Sequence, residues 1–153
     1  MGIYQLYTSQ FLPTSLEEAW AFISNPSNLR HITPESMGFE IRSTLPEKMY
    51  PGMMISYTVK PLWGIKTTWV TEITHVSDMK YFIDEQRVGP YSLWHHEHHL
   101  DPVKGGVVMR DIVTYKPPFG ILGKLANWLI IKRKLRHIFQ YREHALERKF
   151  PRI

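Results

Sequence analysis

From residue 39 to residue 115 the apolar residues recur with a period of two, in short runs separated by turn residues. That pattern restricts half of the chain to antiparallel strands joined by tight connections. Phe39 and Ile41 alternate with Glu40 and Arg42. Pro46 and Pro51-Gly52 precede Met53, Ile55, Tyr57 and Val59. Pro61-Leu62-Trp63-Gly64 turns the chain into Ile65, Thr67, Trp69, Thr71 and Ile73. Ser77-Asp78 leads to a run over 81–88, Gly89-Pro90 to one over 92–100, and Lys104-Gly105-Gly106 to one over 107–115. Six strands at this spacing make a meander.

The flanks read differently. Residues 3–12 alternate loosely and predict a first strand, stopped by Pro13. Thr14-Ser15-Leu16-Glu17 has capping-box spacing, with Thr14 as the cap, ahead of a helix through Leu16, Ala19, Trp20, Phe22 and Ile23. Asn25-Pro26 starts a second short helix, with Asn25 as cap and Pro26 at the first helical position; Pro34 ends it. Pro117-Pro118 closes the sheet, and 120–150 reads as one long helix. Its apolar stripe is Leu125, Trp128, Leu129, Lys132, Leu135, Ile138, Phe139, Arg142 and Leu146. Such a stripe must be covered, and the sheet is the only partner large enough. The expectation is one α+β domain over 1–153: a seven-stranded antiparallel sheet curled around the C-terminal helix.

A chain of 153 residues with 43% hydrophobic and 13% aromatic residues can build a core without staples. It has no cysteine, which excludes a disulfide scaffold, a thiol nucleophile and Cys-based metal or iron–sulfur sites. No secretory leader or membrane span is visible, and a cytoplasmic location is expected. Residues 132–152 hold eight cations against Glu143 and Glu147, a balance of +6. The net charge is +5, so the rest of the chain sums to −1. This basic end is a solvated face or a weak contact with an anionic membrane. Nucleic acid is not expected, because Tyr141 is the main outward aromatic beside those cations. No phosphate-binding glycine loop and no nucleophile elbow is present.

Several local strings carry a resemblance: Asn25-Pro26-Ser27-Asn28-Leu29 with Ile32-Thr33-Pro34, Phe82-Ile83-Asp84-Glu85-Gln86, Gly89-Pro90-Tyr91, Trp94-His95-His96-Glu97-His98, and Met109-Arg110-Asp111 running to Tyr115-Lys116-Pro117-Pro118-Phe119-Gly120. Over nearly its whole length the chain resembles the START/polyketide-cyclase-like (SRPBCC) superfamily, with its helix-grip fold, and a bacterial cyclase/dehydrase-like subgroup of unassigned activity. The resemblance implies a cavity between sheet and last helix that holds a small hydrophobic or amphipathic molecule such as a lipid, isoprenoid or aromatic polyketide.

Strand parity then selects the lining. Trp94, His96, His98 and Leu100 share one face, and Met109, Asp111, Val113 and Tyr115 another. Parity over 81–88 is nearly balanced, and the resemblance places Phe82, Asp84 and Gln86 inward. The expected lining is Met53, Ile55, Tyr57, Trp69, Phe82, Asp84, Gln86, Trp94, His96, His98, Asp111 and Tyr115, covered by Trp128 and Leu129. His96, His98, Asp84 and Asp111 could orient a ligand, satisfy one another, or form the acid–base pair of a cyclase/dehydratase-like enzyme. His96 and His98 at i, i+2 could also chelate zinc with Asp84 or Asp111 as third ligand. No helical HExxH exists, and no metal or cofactor is expected. A further alternative is a protein-docking module using the basic helix. The pattern sets neither the ligand nor the oligomeric state.

Overall fold

The computed structural model describes residues 2–61 and 64–152. Of the turn expected over 61–64, Leu62 and Trp63 lie outside the described residues. The strands are β1 (Tyr4–Leu12), β2 (Glu40–Ile41), β3 (Met53–Val59), β4 (Thr67–Ser77), β5 (Tyr81–Val88), β6 (Leu93–Val103) and β7 (Gly106–Lys116). They form one open seven-stranded sheet in the order β1-β7-β6-β5-β4-β3-β2, antiparallel throughout. From β2 to β7 this is the expected meander. β1 extends it at the β7 edge, pairing from Tyr4 opposite Tyr115 to Leu12 opposite Val107. Ile65 falls outside β4 and is exposed, so that strand starts two residues later than its alternation predicts.

Helix α1 (Leu16–Ile23) follows β1. Its cap is Ser15 and not Thr14: the Ser15 hydroxyl accepts from the Glu18 amide at 3.2 Å, and the Thr14 hydroxyl donates to the Glu18 carboxylate. The capping-box spacing is kept, one residue later. Asn25 caps the next element as expected, its Oδ1 accepting from the Ser27 amide at 3.0 Å, but that element (Pro26–Ile32) is a 3₁₀ helix. A second short 3₁₀ turn follows at Glu35–Met37.

The C-terminal helix starts on an abrupt change of direction. Phe119 and Gly120 both adopt positive φ, +65° and +51°. Helix α2 (Gly120–Ala126) then packs so closely on the preceding prolines that a Cβ on Gly123 would lie 1.9 Å from the Pro118 carbonyl oxygen. A π-helical turn (Asn127–Ile131) joins it to helix α3 (Lys132–Lys149). The π turn holds one residue more than an α turn. The inward line therefore runs Gly123, Asn127, Ile131, Leu135, Phe139, Arg142, Leu146. Trp128, Leu129 and Leu125 face solvent, and Lys132 is exposed too. The expected stripe is correct from Leu135 onward and out of phase by one residue before it.

The core lies between one face of the sheet and these helices. Ala19, Trp20 and Ile23 pack with Leu12, Phe82, Leu100, Val107, Met109, Ala145 and Leu146. Val113 and Tyr115 pack with Ile131, Leu135 and Phe139. No helix among the described residues is long and apolar enough to cross a membrane.

Candidate functional site

Antiparallel pairing brings the two acids and two imidazoles together. Asp84 of β5 lies opposite His96 of β6, and Asp111 of β7 lies opposite His98. All four side chains point to the helix face of the sheet, and the contacts run diagonally as well as straight across. His98 Nε2 is 2.7 Å from Asp84 Oδ2, and His98 Nδ1 is 3.0 Å from Asp111 Oδ1. His96 Nε2 is 3.0 Å from the same Asp111 oxygen. From α3, Arg142 Nη2 sits 3.3 Å from both Asp111 Oδ1 and His98 Nδ1.

Charge settles the proton positions. Burial lowers the His96 pKa, and the neighbouring His98 lowers it further, to about 4. His96 is therefore neutral at pH 7, donating from Nε2 to Asp111. Its Nδ1, 3.7 Å from Asp84, is too far for a hydrogen bond and keeps its lone pair. Burial works against a proton on His98 too. There the hydrogen bonds to Asp111 and Asp84 overcome it and raise the pKa. A cationic His98 donates from both ring nitrogens, so Arg142 and His98 both direct donors at Asp111. Burial would raise both carboxyl groups. The Arg142 charge and both imidazoles hold Asp111 well below the carboxylate range, and the His98 hydrogen bond keeps Asp84 below it. With His98 protonated, two carboxylates, one imidazolium and one guanidinium leave the buried cluster without net charge.

A pocket of about 180 Å³ opens against this cluster. Asp84, His96, His98 and Arg142 form its polar end. Tyr57, Trp69, Tyr91 and Trp94 form an aromatic wall, and Leu29, Ile32, Leu135 and Ile138 line it from the helices. The wall is mutually packed. Trp69 stacks on Tyr57 with ring centroids 6.0 Å apart and meets Trp94 edge-on at 5.3 Å, and Tyr91 lies 4.9 Å from Trp94. Burial raises the pKa values of Tyr57 and Tyr91, so both hydroxyls stay protonated.

Of the expected lining, Ile55, Tyr57, Trp69, Phe82, Asp84, Trp94, His96 and His98 border this pocket. Met53 is sealed in the core. Asp111 stands behind the histidines. Tyr115 donates its hydroxyl to Asn127 Oδ1 at 2.9 Å and belongs to the helix seam. Gln86 is spent on the turn after β5, bonding the Tyr91 carbonyl and amide at 2.7 and 3.2 Å. Trp128 and Leu129 do not cover the pocket, because the π turn points them outward. Ile131, Lys134 and Ile138 stand there instead.

Sequence reasoning missed Tyr91, Phe39 and the role of Arg142. The signal for Arg142 was its place inside an otherwise apolar stripe. Its Nε is buried and without a hydrogen-bond partner among the described residues. Asp84, His96 and His98 also offer ligand atoms within 4.8 Å of one another, a spacing one divalent ion could bridge. The Arg142 guanidinium against His98 opposes a second cation there.

No protein-family profile and no curated protein matches the chain by sequence. Solved structures do match in shape. A START superfamily protein from Mycobacterium smegmatis superposes with a TM-score of 0.70 at 12% identity, over 95% of this chain and 98% of that one. Protein CV1439 from Chromobacterium violaceum gives 0.72 at 12% identity, over 97% and 98%. Ara h 8.0201 gives 0.59 at 14% identity, over 95% and 98%. At these identities the likeness is one of fold, and the fold of this chain is the START-like helix grip that the sequence resemblance implied.

Proposed function

We propose that the chain binds a small, mainly apolar ligand whose polar end accepts hydrogen bonds from Arg142. The observation that carries this is Arg142, which closes the polar end of a pocket otherwise walled by aromatic and aliphatic side chains and whose buried Nε has no hydrogen-bond partner among the described residues. The volume narrows the ligand class. About 180 Å³ suits an aromatic or polyketide-like molecule of one or two rings better than a long-chain lipid or isoprenoid. Trp69 and Trp94 supply flat contact area, and Asp84, His96 and His98 supply orientation. The absence of cysteine fits work in a reducing compartment such as the cytoplasm. Contact of the basic helix end with an anionic membrane fits too, as a place to collect or release an apolar ligand.

The test is a tryptophan-fluorescence titration with naphthoate and naphthalene, alongside native mass spectrometry of freshly purified protein. Naphthoate should bind about tenfold more tightly than naphthalene, and Arg142→Lys should shrink that difference. No saturable quenching by either probe, together with a bare protein mass, would remove the reading.

A second reading is cyclase- or dehydratase-like turnover. It is favoured by the neutral His96, whose Nε2 is anchored on Asp111 while Nδ1 keeps a lone pair beside the pocket, as a general base requires. His98, braced by Asp84, would be the proton donor. His96→Gln should then keep probe binding and abolish turnover of a polyketide-like ketone. Equal turnover in the variant would exclude His96 as the base.

A further inference from the structure

We infer that the start of the C-terminal helix is a docking face for an anionic lipid surface. Phe119, Ile121, Leu122 and Trp128 are 81%, 83%, 72% and 77% exposed, and Leu125 and Leu129 are more than half exposed. Ile121, Leu122, Leu125, Trp128 and Leu129 fall at i, i+1, i+4, i+7 and i+8, the spacing of one helix face. That face is turned away from the sheet, since Gly123, Asn127 and Ile131 occupy the inner side. A soluble monomer rarely shows so many large apolar side chains together unless something covers them.

Charge identifies the cover. No Asp or Glu occurs between Asp111 and Glu143. Lys124, Lys132, Arg133 and Arg136 flank the apolar face, are exposed, and have no carboxylate partner among the described residues. An apolar stripe with a tryptophan in it, bordered by cations of one sign, is the composition of a helix that lies in the plane of an anionic bilayer. The face shares Lys132, Arg133 and Arg136 with the basic stretch over 132–152 and adds to it an apolar part that lies ahead of α3. On its inner side the same helix carries Ile131 and Lys134, which border the pocket. The docking does not depend on what the pocket holds.

The experiment is flotation of the full chain with vesicles of phosphatidylcholine containing about 30% phosphatidylglycerol, against pure phosphatidylcholine. The chain should float with the anionic vesicles only. Leu122→Asp with Trp128→Asp, and separately Lys132→Glu with Arg133→Glu, should each weaken binding about tenfold or more. Brominated lipid should quench wild-type tryptophan fluorescence and quench Trp128→Phe far less, a readout that needs no disruptive variant. Failure of the wild type to float at low salt would overturn the inference. So would flotation undiminished by the aspartate pair, or a dimer in sedimentation velocity that the aspartate pair disperses while no vesicle binds.

Discussion

The imidazoles of His96 and His98 lie against each other on one face of β6, with ring centroids 3.7 Å apart. His98 also stacks on Phe82, with ring centroids 4.1 Å apart. Two cations at that separation repel strongly in a buried site, and one proton is therefore held between the two rings' four nitrogens beyond the one each carries when neutral. Geometry gives it to His98.

This arrangement has a pH signature. His96, at about 4 against 6.5 in the unfolded chain, stays neutral while the unfolded state takes up a proton. It stabilises the fold above pH 6.5, and that contribution is lost as pH falls toward 4. His98 has the opposite sign. Its raised pKa contributes fully below 6.5 and is lost as pH rises through the folded value. Asp84 and Asp111 contribute above 3.8 and lose it as pH falls through their lowered folded values. Urea unfolding from pH 6.5 to 4 should show falling stability, and His96→Asn should flatten the fall. Imidazole NMR should find His98 charged and His96 neutral at pH 6. Two neutral rings at that pH would contradict the assignment.

Arg142 balances Asp111 inside the core. Arg142→Met should cost about 3 kcal/mol, because it leaves a buried carboxylate with one cation fewer. Adding Asp111→Asn should restore part of the loss in urea unfolding. Strictly additive losses would mean that the two residues do not share an interaction.

Trp69 is the hub of the aromatic wall and donates its indole N–H to Thr71 Oγ1 at 3.1 Å. Trp69→Ala should cost about 3–5 kcal/mol and widen the pocket. A three-ring carboxylate should then gain affinity relative to naphthoate in the same titration. Unchanged ring-size preference would show that the wall does not limit the pocket.

Gly123 has no room for a side chain against Pro118. Gly123→Ala should destabilise by about 1–3 kcal/mol, with amide exchange rising first over 119–131. Lys124→Ala, one position on and exposed, should stay within about 0.5 kcal/mol of wild type.

The sheet was legible because strand parity is a two-way choice that large side chains decide. His96 and His98 between Trp94 and Leu100, and Asp111 between Met109 and Val113, had one sensible orientation, and the structure has it. β5 was ambiguous because its two faces carry similar residues. There Phe82 and Asp84 face the pocket, while Gln86 near the strand end turns to the backbone of Tyr91. The cap slipped from Thr14 to Ser15 because both hydroxyls have a glutamate three residues on, and only backbone geometry separates them. Trp128 was misplaced for a different reason. A helical stripe can be extended only while the winding stays constant, and no residue between Asn127 and Ile131 advertises a π turn. Tyr91 sits in a turn, and Phe39 opens an alternation that yields only the two-residue β2, so strand parity could assign neither to the pocket.

The π turn also sets where this helix can change length. It carries one residue more than the α winding on either side needs. Deleting Ile130, whose side chain is partly exposed, would convert the turn to ordinary α-helix while Asn127 still met Tyr115 and Leu135 still met the sheet. The same deletion within α3 would rotate everything beyond it by about 100° and expel Phe139 or Arg142 from the core. Length variation among natural versions of this chain should therefore gather at 127–131, the one stretch of the helix where losing a residue leaves both faces where they are.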